Sequence, residues 1–203
     1  VWYCSQLFSL EFYELFMTPD TGSPRAVLRP PEATDGTALH QLVSACPPLD
    51  ENSVYCNLLQ CTHFAQTSVV AQAAGNLVGA ITGYLVPARR DTLFVWQVAV
   101  AQAARGQGLA QRMLHHLIAR AACSEVTHLE TTVTGTNDAS WALFEGFARD
   151  TGSELQRSPL FEQTTHFHGQ HETEVLARIG PLPQFDQRQP TTDNSVHQKE
   201  NTA

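Results

Sequence analysis

The chain has 203 residues, 42% of them hydrophobic, with 12 Lys and Arg against 20 Asp and Glu and a formal net charge of −8. That length supports one sizeable hydrophobic core and favours a single domain. The acidic balance argues against nucleic-acid binding, which needs a basic face, and suits a cationic substrate or an enzyme in a salty cytoplasm.

Residues 1–17 are apolar and aromatic, but they include Glu11 and Glu14 and lack a basic start, so they make a poor signal peptide. Residues 1–25 are expected to be an accessory or mis-started N-terminal extension, flexible and joined through a Pro/Gly/Ser linker at 19–24. Val27-Leu28-Arg29 predicts a short strand. Residues 34–45 predict a helix with Leu39, Leu42 and Val43 on one face, stopped by Pro47-Pro48. A second helix is predicted over 53–63, carrying Tyr55, Leu58 and Leu59. Residues 68–73 and 77–85 predict a hairpin across Ala74-Gly75-Asn76.

Leu93-Phe94-Val95-Trp96-Gln97-Val98-Ala99-Val100 is a β-branched and aromatic run of strand length. It is followed by Arg105-Gly106-Gln107-Gly108-Leu109-Ala110, where two glycines let the backbone turn tightly and approach a ligand closely. Leu109, Met113, Leu114, Leu117 and Ile118 then recur at helical spacing, predicting a helix over 108–121. Amides at a helix N-terminus, aided by the helix dipole, form a phosphate site. A P-loop is excluded, because no Gly-Lys-[Ser/Thr] occurs in the chain. A dinucleotide fingerprint lacks its third small position after Gly106 and Gly108, and Glu125 and Glu130 are only generic choices for its ribose acid. The loop does fit the [QR]-x-x-G-x-[GA] pattern of acetyl-CoA-dependent N-acetyltransferases, with an ordinary strand-to-helix turn as the alternative.

Residues 127–134 predict another strand, with Leu129, Thr131 and Val133 alternating on one face. Asn137 is expected to cap a helix over 138–147. Late strands are predicted at 161–167 and 174–179, and the polar residues 183–203 as a disordered tail. Five cysteines, an odd number with no C-x-x-C, point to reduced, mostly buried thiols in a cytosolic protein. No apolar run reaches the roughly 18 residues of a membrane-spanning helix.

Several segments together resemble the L-2,4-diaminobutyrate acetyltransferase family of the GNAT superfamily. They are Leu49 to Tyr55, Leu93 to Val100, Asn137-x-x-Ser140-Trp141-x-Leu143-Phe144, His171-Glu172-Thr173-Glu174 and Arg178-Ile179-Gly180-Pro181. The resemblance covers residues 27–182. It implies an α/β GNAT fold over 26–182: a mixed, mostly antiparallel central sheet, splayed at the CoA site and flanked by helices. It further implies acetyl transfer from acetyl-CoA to the γ-amine of L-2,4-diaminobutyrate, by direct attack in a ternary complex, giving the N4-acetyl intermediate of ectoine biosynthesis. A cytoplasmic homodimer is implied, with no nucleic-acid or membrane partner.

By the same resemblance, acetyl-CoA would lie against Val98, Val100, Arg105, Gly106, Gln107, Gly108, Leu109, Ala110 and Asn137. The Val98 backbone N–H would receive the developing oxyanion. Asp50, Tyr55, Trp96, His171 and Glu174 would surround the diamine, since acids and an aromatic face suit cations. For Asp50 a helix N-cap is the alternative role, for Trp96 core packing and for Glu174 a solvated strand face.

An alkyl amine with pKa near ~10.4 must lose its proton before attack, at a cost of roughly 4 to 5 kcal/mol at neutral pH. Many GNAT members place a glutamate base on the central strand, where this chain has Gln97. Many also carry a tyrosine acid in the last core helix, where it has Phe144. Tyr55 is therefore the candidate for proton handling or substrate positioning. His166-x-His168-x-x-His171 has the composition of a metal site, but the first two would share a strand face and the third follows Gly169, so no metal is expected. Two other readings remain open here: an N-acetyltransferase for another small diamine or amino acid, and a catalytically silent acyl-CoA-binding module.

Overall fold

The computed structural model describes residues 26–183, so the extension over 1–25 and all but the first residue of the tail lie outside the described residues. The elements follow in the order β1 (Val27–Arg29), α1 (Gly36–Ser44), α2 (Val54–Thr62), β2 (Val69–Ala73), β3 (Asn76–Val86), β4 (Arg89–Val100), α3 (Leu109–Ile118), β5 (His128–Thr134), α4 (Asp138–Thr151), β6 (Glu154–Phe161) and β7 (Glu174–Gly180). The strands form one mixed, mostly antiparallel sheet in the order β1-β2-β3-β4-β5-β7-β6. Two compact units divide the chain at β4. The first ends its opening segment at Leu85 and resumes over Phe94–Leu117; the second holds Val86–Leu93 and the chain from Ile118 onward.

In the first unit, α1 presents Leu39, Leu42 and Val43 to a buried cluster with Cys46, Cys61, Val70, Ala80 and Ala99. Helix α1 is preceded by a 3-10 turn over Ala33–Asp35 rather than starting at Thr34. There the Asp35 carboxylate accepts from Arg29 (2.7 and 2.9 Å) and from the Glu32 N–H (2.7 Å). The α3 side chains picked out by helical spacing, Leu109, Met113, Leu114, Leu117 and Ile118, are all buried. A Cβ on Gly79 of β3 would meet Met113 and Leu109 at 3.0–3.1 Å, which shows how closely α3 lies on that strand.

In the second unit, β5 pairs with β7 and β7 with β6, both antiparallel. Leu129, Val133, Trp141, Phe144, Phe147, Ala177 and Ile179 are buried there. The Trp141 indole N–H donates to the Thr134 carbonyl (3.1 Å), and the Arg157 guanidinium lies 3.9 Å from the indole centre, tying α4 to β5 and β6.

The structure also corrects the sequence reading of the late strands and of the end of α4. The strand expected over 161–167 is instead a turn, because β6 ends at Phe161 and His168 adopts a positive φ of 51°. The strand itself runs earlier, as Glu154–Phe161. It is an edge strand with most of its residues exposed, so it lacks the buried alternation that marks a strand in sequence. Helix α4 continues four residues beyond Phe147 to Thr151, where Gly152 in the left-handed region ends it and donates back to Ala148 and Arg149.

Candidate active site

In the first unit the loop from Arg105 to Gly108 joins β4 to α3. Gly106 and Gly108 have φ of +75° and +66°, and a Cβ at either would have nothing within 4 Å. Both are therefore held in a conformation that favours glycine, with bare backbone toward open space. The α3 hydrogen-bond ladder begins with Arg112 N–H donating to the Gly108 carbonyl (3.0 Å). The amides of Leu109 and Ala110 precede that bond, as expected at a helix start. Two guanidiniums brace the loop: Arg105 Nε donates to the Val100 carbonyl (2.9 Å), and Arg112 Nη1 donates to the Gln107 carbonyl (2.7 Å). The Gln107 amide caps the turn by donating to Ala103 O (3.1 Å). Exposed glycine backbone, a helix N-terminus and two cationic side chains fit a pyrophosphate. Arg112 was not singled out in the sequence, because its role depends on the fold of the loop.

The same unit holds the first group of acceptor candidates. Tyr55 on α2 is 70% exposed and Trp96 on β4 is 42% exposed, so neither is a core residue. Trp96 stands edge-on to Tyr84 at 6.2 Å, and Tyr84 lies 5.3 Å from Phe94, making an aromatic row across β3 and β4. Asp50 is exposed and does not cap α2; that role belongs to Ser53, whose hydroxyl accepts from the Cys56 N–H (3.1 Å). Asp50 instead contributes its backbone carbonyl, which accepts from the Gln97 side chain (2.6 Å). Val98 and Val100 are half-buried at the end of β4, and the Val100 carbonyl also accepts from the Cys46 thiol (3.4 Å).

In the second unit Asn137 caps α4, its Oδ1 accepting from the Ser140 N–H (3.1 Å), which leaves its Nδ2 donor outside the cap. Glu174 opens β7 and is half-buried; His171 Nε2 stands 4.0 Å from its carboxylate, a pair that is ionic only when the imidazole is protonated. His171 is further placed by a 4.7 Å ring contact with Phe167 and by its Nδ1 against the Glu172 carbonyl (2.8 Å). Phe144, where a tyrosine acid would be sought, is buried and carries no proton to give. His166 and His168 lie in the turn segment rather than on a strand face. Among the described residues, no three His, Cys, Asp or Glu side chains converge as a metal-binding group.

Glu130, considered above as a ribose acid, is committed elsewhere. Its side chain is 3% exposed on β5 and accepts from both arms of the Arg89 guanidinium (2.6 and 2.8 Å) and from Arg178 directly opposite on β7. The Arg89 hydrogen bonds hold its carboxyl below the usual glutamate range, against the upward push of burial. Burial pushes the Cys61 and Cys123 thiols up to about 11, so neither is a nucleophile at neutral pH.

Comparison with known proteins gives the family. Residues 37–147 match the model of the acetyltransferase (GNAT) family. The chain is 51% identical over 167 residues to the L-2,4-diaminobutyric acid acetyltransferase of Methylotuvimicrobium alcaliphilum, covering 82% of this chain and 97% of that protein. It is 47% identical to the enzyme of the same name from Vibrio parahaemolyticus, covering 77% and 87%. Among solved structures it is similar to the diaminobutyrate acetyltransferase EctA of Paenibacillus lautus, determined with L-2,4-diaminobutyric acid and coenzyme A. That likeness has a TM-score of 0.75 and 40% identity, covering 79% of this chain and 96% of that one. On this evidence the chain belongs to the L-2,4-diaminobutyric acid acetyltransferases of the GNAT family.

Proposed function

We propose that this protein transfers the acetyl group of acetyl-CoA to the γ-amine of L-2,4-diaminobutyrate, giving N4-acetyl-L-2,4-diaminobutyrate for ectoine synthesis. The observation that carries the reading is the braced glycine loop at the head of α3, in a chain about half identical to enzymes named for that reaction. Residues 26–182 are proposed as the acetyltransferase domain. Arg105 to Ala110, with Val98, Val100 and Asn137, are assigned to acetyl-CoA. Asp50, Tyr55, Trp96, His171 and Glu174 are assigned to the diamine.

The amine nitrogen attacks the thioester carbonyl carbon directly. Its lone pair, freed when the ammonium gives one proton to solvent or a base, forms the new C–N bond as the C–S bond breaks. The second proton lost from that nitrogen balances the departing CoA thiolate, which leaves as the thiol. The Val98 N–H is the proposed donor to the oxygen that gains charge at the transition state. No covalent enzyme intermediate is required, in keeping with the inert Cys61 and Cys123 thiols. Gln97 has no basic function to offer, so Tyr55 is the proposed group for proton handling. Tyr55→Phe should lower kcat at least severalfold with little change in thermal stability, since the side chain is exposed. Full kcat at every pH would reduce Tyr55 to a surface aromatic.

A cytoplasmic location is supported by the four described cysteines, all free. A homodimer is proposed from family resemblance, and its test is the mass in solution by light scattering. The activity itself is tested by CoA release with L-2,4-diaminobutyrate, ornithine, lysine and putrescine. A strong preference for diaminobutyrate with N4 product by NMR is expected. Preference for another amine would move the enzyme to a different acceptor, and no release above the amine-free blank would leave only acyl-CoA binding.

A further inference from the structure

Gln97 lies on β4 between Trp96 and Val98 and is 9% exposed. Its side-chain amide is used at both ends. Nε2 donates to the Asp50 carbonyl (2.6 Å), and Oε1 accepts from Asn52 Nδ2 (2.8 Å). Residues 50–52 connect α1 to α2 without secondary structure of their own. The hydrogen bonds described for Asp50 and Asn52 both run to Gln97. The Asp50 side chain is exposed while its backbone is held, so what fixes it is a clip from the strand that also carries Trp96.

We propose that Gln97 is a positioning residue for the diamine: its amide locks the segment bearing Asp50 onto β4, in register with Trp96. This rests on the reading of Asp50 as a ligand of the acceptor. The geometry also explains why an amide stands where many GNAT enzymes have a carboxylate. The clip needs one donor and one acceptor at the same time. A carboxylate could still accept from Asn52, but when ionised it has no hydrogen for the Asp50 carbonyl, and two oxygens would face each other at 2.6 Å. Gln97 thus sets where the acceptor cation binds, and proton removal falls to other groups.

The test is steady-state kinetics for both substrates, with melting temperatures, on Gln97→Met, Gln97→Glu, Asp50→Asn and the double variant Gln97→Met/Asp50→Asn. Losing two hydrogen bonds predicts that Gln97→Met raises the diaminobutyrate KM by about tenfold or more. The acetyl-CoA KM should stay within about twofold, and the double variant should be no worse than Asp50→Asn alone, the mark of two residues acting through one another. Gln97→Glu should resemble Gln97→Met at high pH. Its KM, taken as a ratio to the parent enzyme, should fall as pH is lowered, because a protonated carboxyl regains the donor. Equal rises in both KM values with a large fall in melting temperature would make Gln97 merely structural and overturn the proposal. A normal diaminobutyrate KM in Gln97→Met, with a raised one in Asp50→Asn, would overturn the clip and leave Asp50 in place. A normal KM in Asp50→Asn would overturn the role of Asp50, and the proposal with it. If Gln97→Met fails to fold, the Gln97→Glu ratio decides alone, and a flat ratio with pH overturns the proposal.

Discussion

Glu130→Gln is expected to destabilise the fold by about 3 kcal/mol, the low end of the cost of breaking a buried ion pair. The low end applies because the Arg89 and Arg178 side chains are 45% and 29% exposed and keep access to water. For a protein of this size that corresponds to a fall in melting temperature of about 6 to 12 °C. The pH dependence follows from the lowered carboxyl. A depressed folded-state pKa contributes stability that is fully present above the unfolded value of ~4.3 and lost as pH falls through the folded value. Calorimetry between pH 3 and 7 should therefore show a steeper acid decline in the parent protein than in Glu130→Gln. Parallel curves would mean that the three charges contribute no net acid-labile stability.

Gly108→Val is expected to lower kcat/KM for acetyl-CoA at least tenfold, from strain and from obstruction. The φ of +66° costs a branched residue about 1 to 2 kcal/mol, and the side chain would project into the open space where phosphate oxygens would approach the backbone. Because nothing lies within 4 Å of that Cβ, no clash adds to the strain and the melting temperature should fall only by a few degrees. The KM for diaminobutyrate should change little. A parent-like KM for acetyl-CoA would remove the loop from cofactor binding.

The helices most legible in the sequence were those with a one-sided apolar stripe. Leu39, Leu42 and Val43 on α1, and Leu109, Met113, Leu114, Leu117 and Ile118 on α3, are buried as their spacing predicted. Ser53 and Asn137 mark helix starts through side-chain chemistry that acts within three residues. Strand β6 escaped because an edge strand exposed over most of its length carries no burial pattern, whereas the aromatic and β-branched content of 161–167 imitated one. The start of β4 at Arg89 was likewise hidden: Arg89, Arg90 and Asp91 are exposed and polar, and pairing rather than hydrophobicity makes them strand.

The glycine loop, the helix behind it and the family motifs were thus set by local order along the chain, since turn conformation, capping and helical periodicity act over a few residues. Tertiary structure alone decided which polar groups meet. Gln97 finds Asp50 and Asn52 across 47 and 45 residues, and Glu130 finds Arg89 and Arg178 across 41 and 48. A hydrogen bond or ion pair leaves no periodic trace in sequence, because its partners are chosen by strand register and helix packing. A buried amide and a buried carboxylate therefore acquired their roles only when the sheet brought their partners within 3 Å.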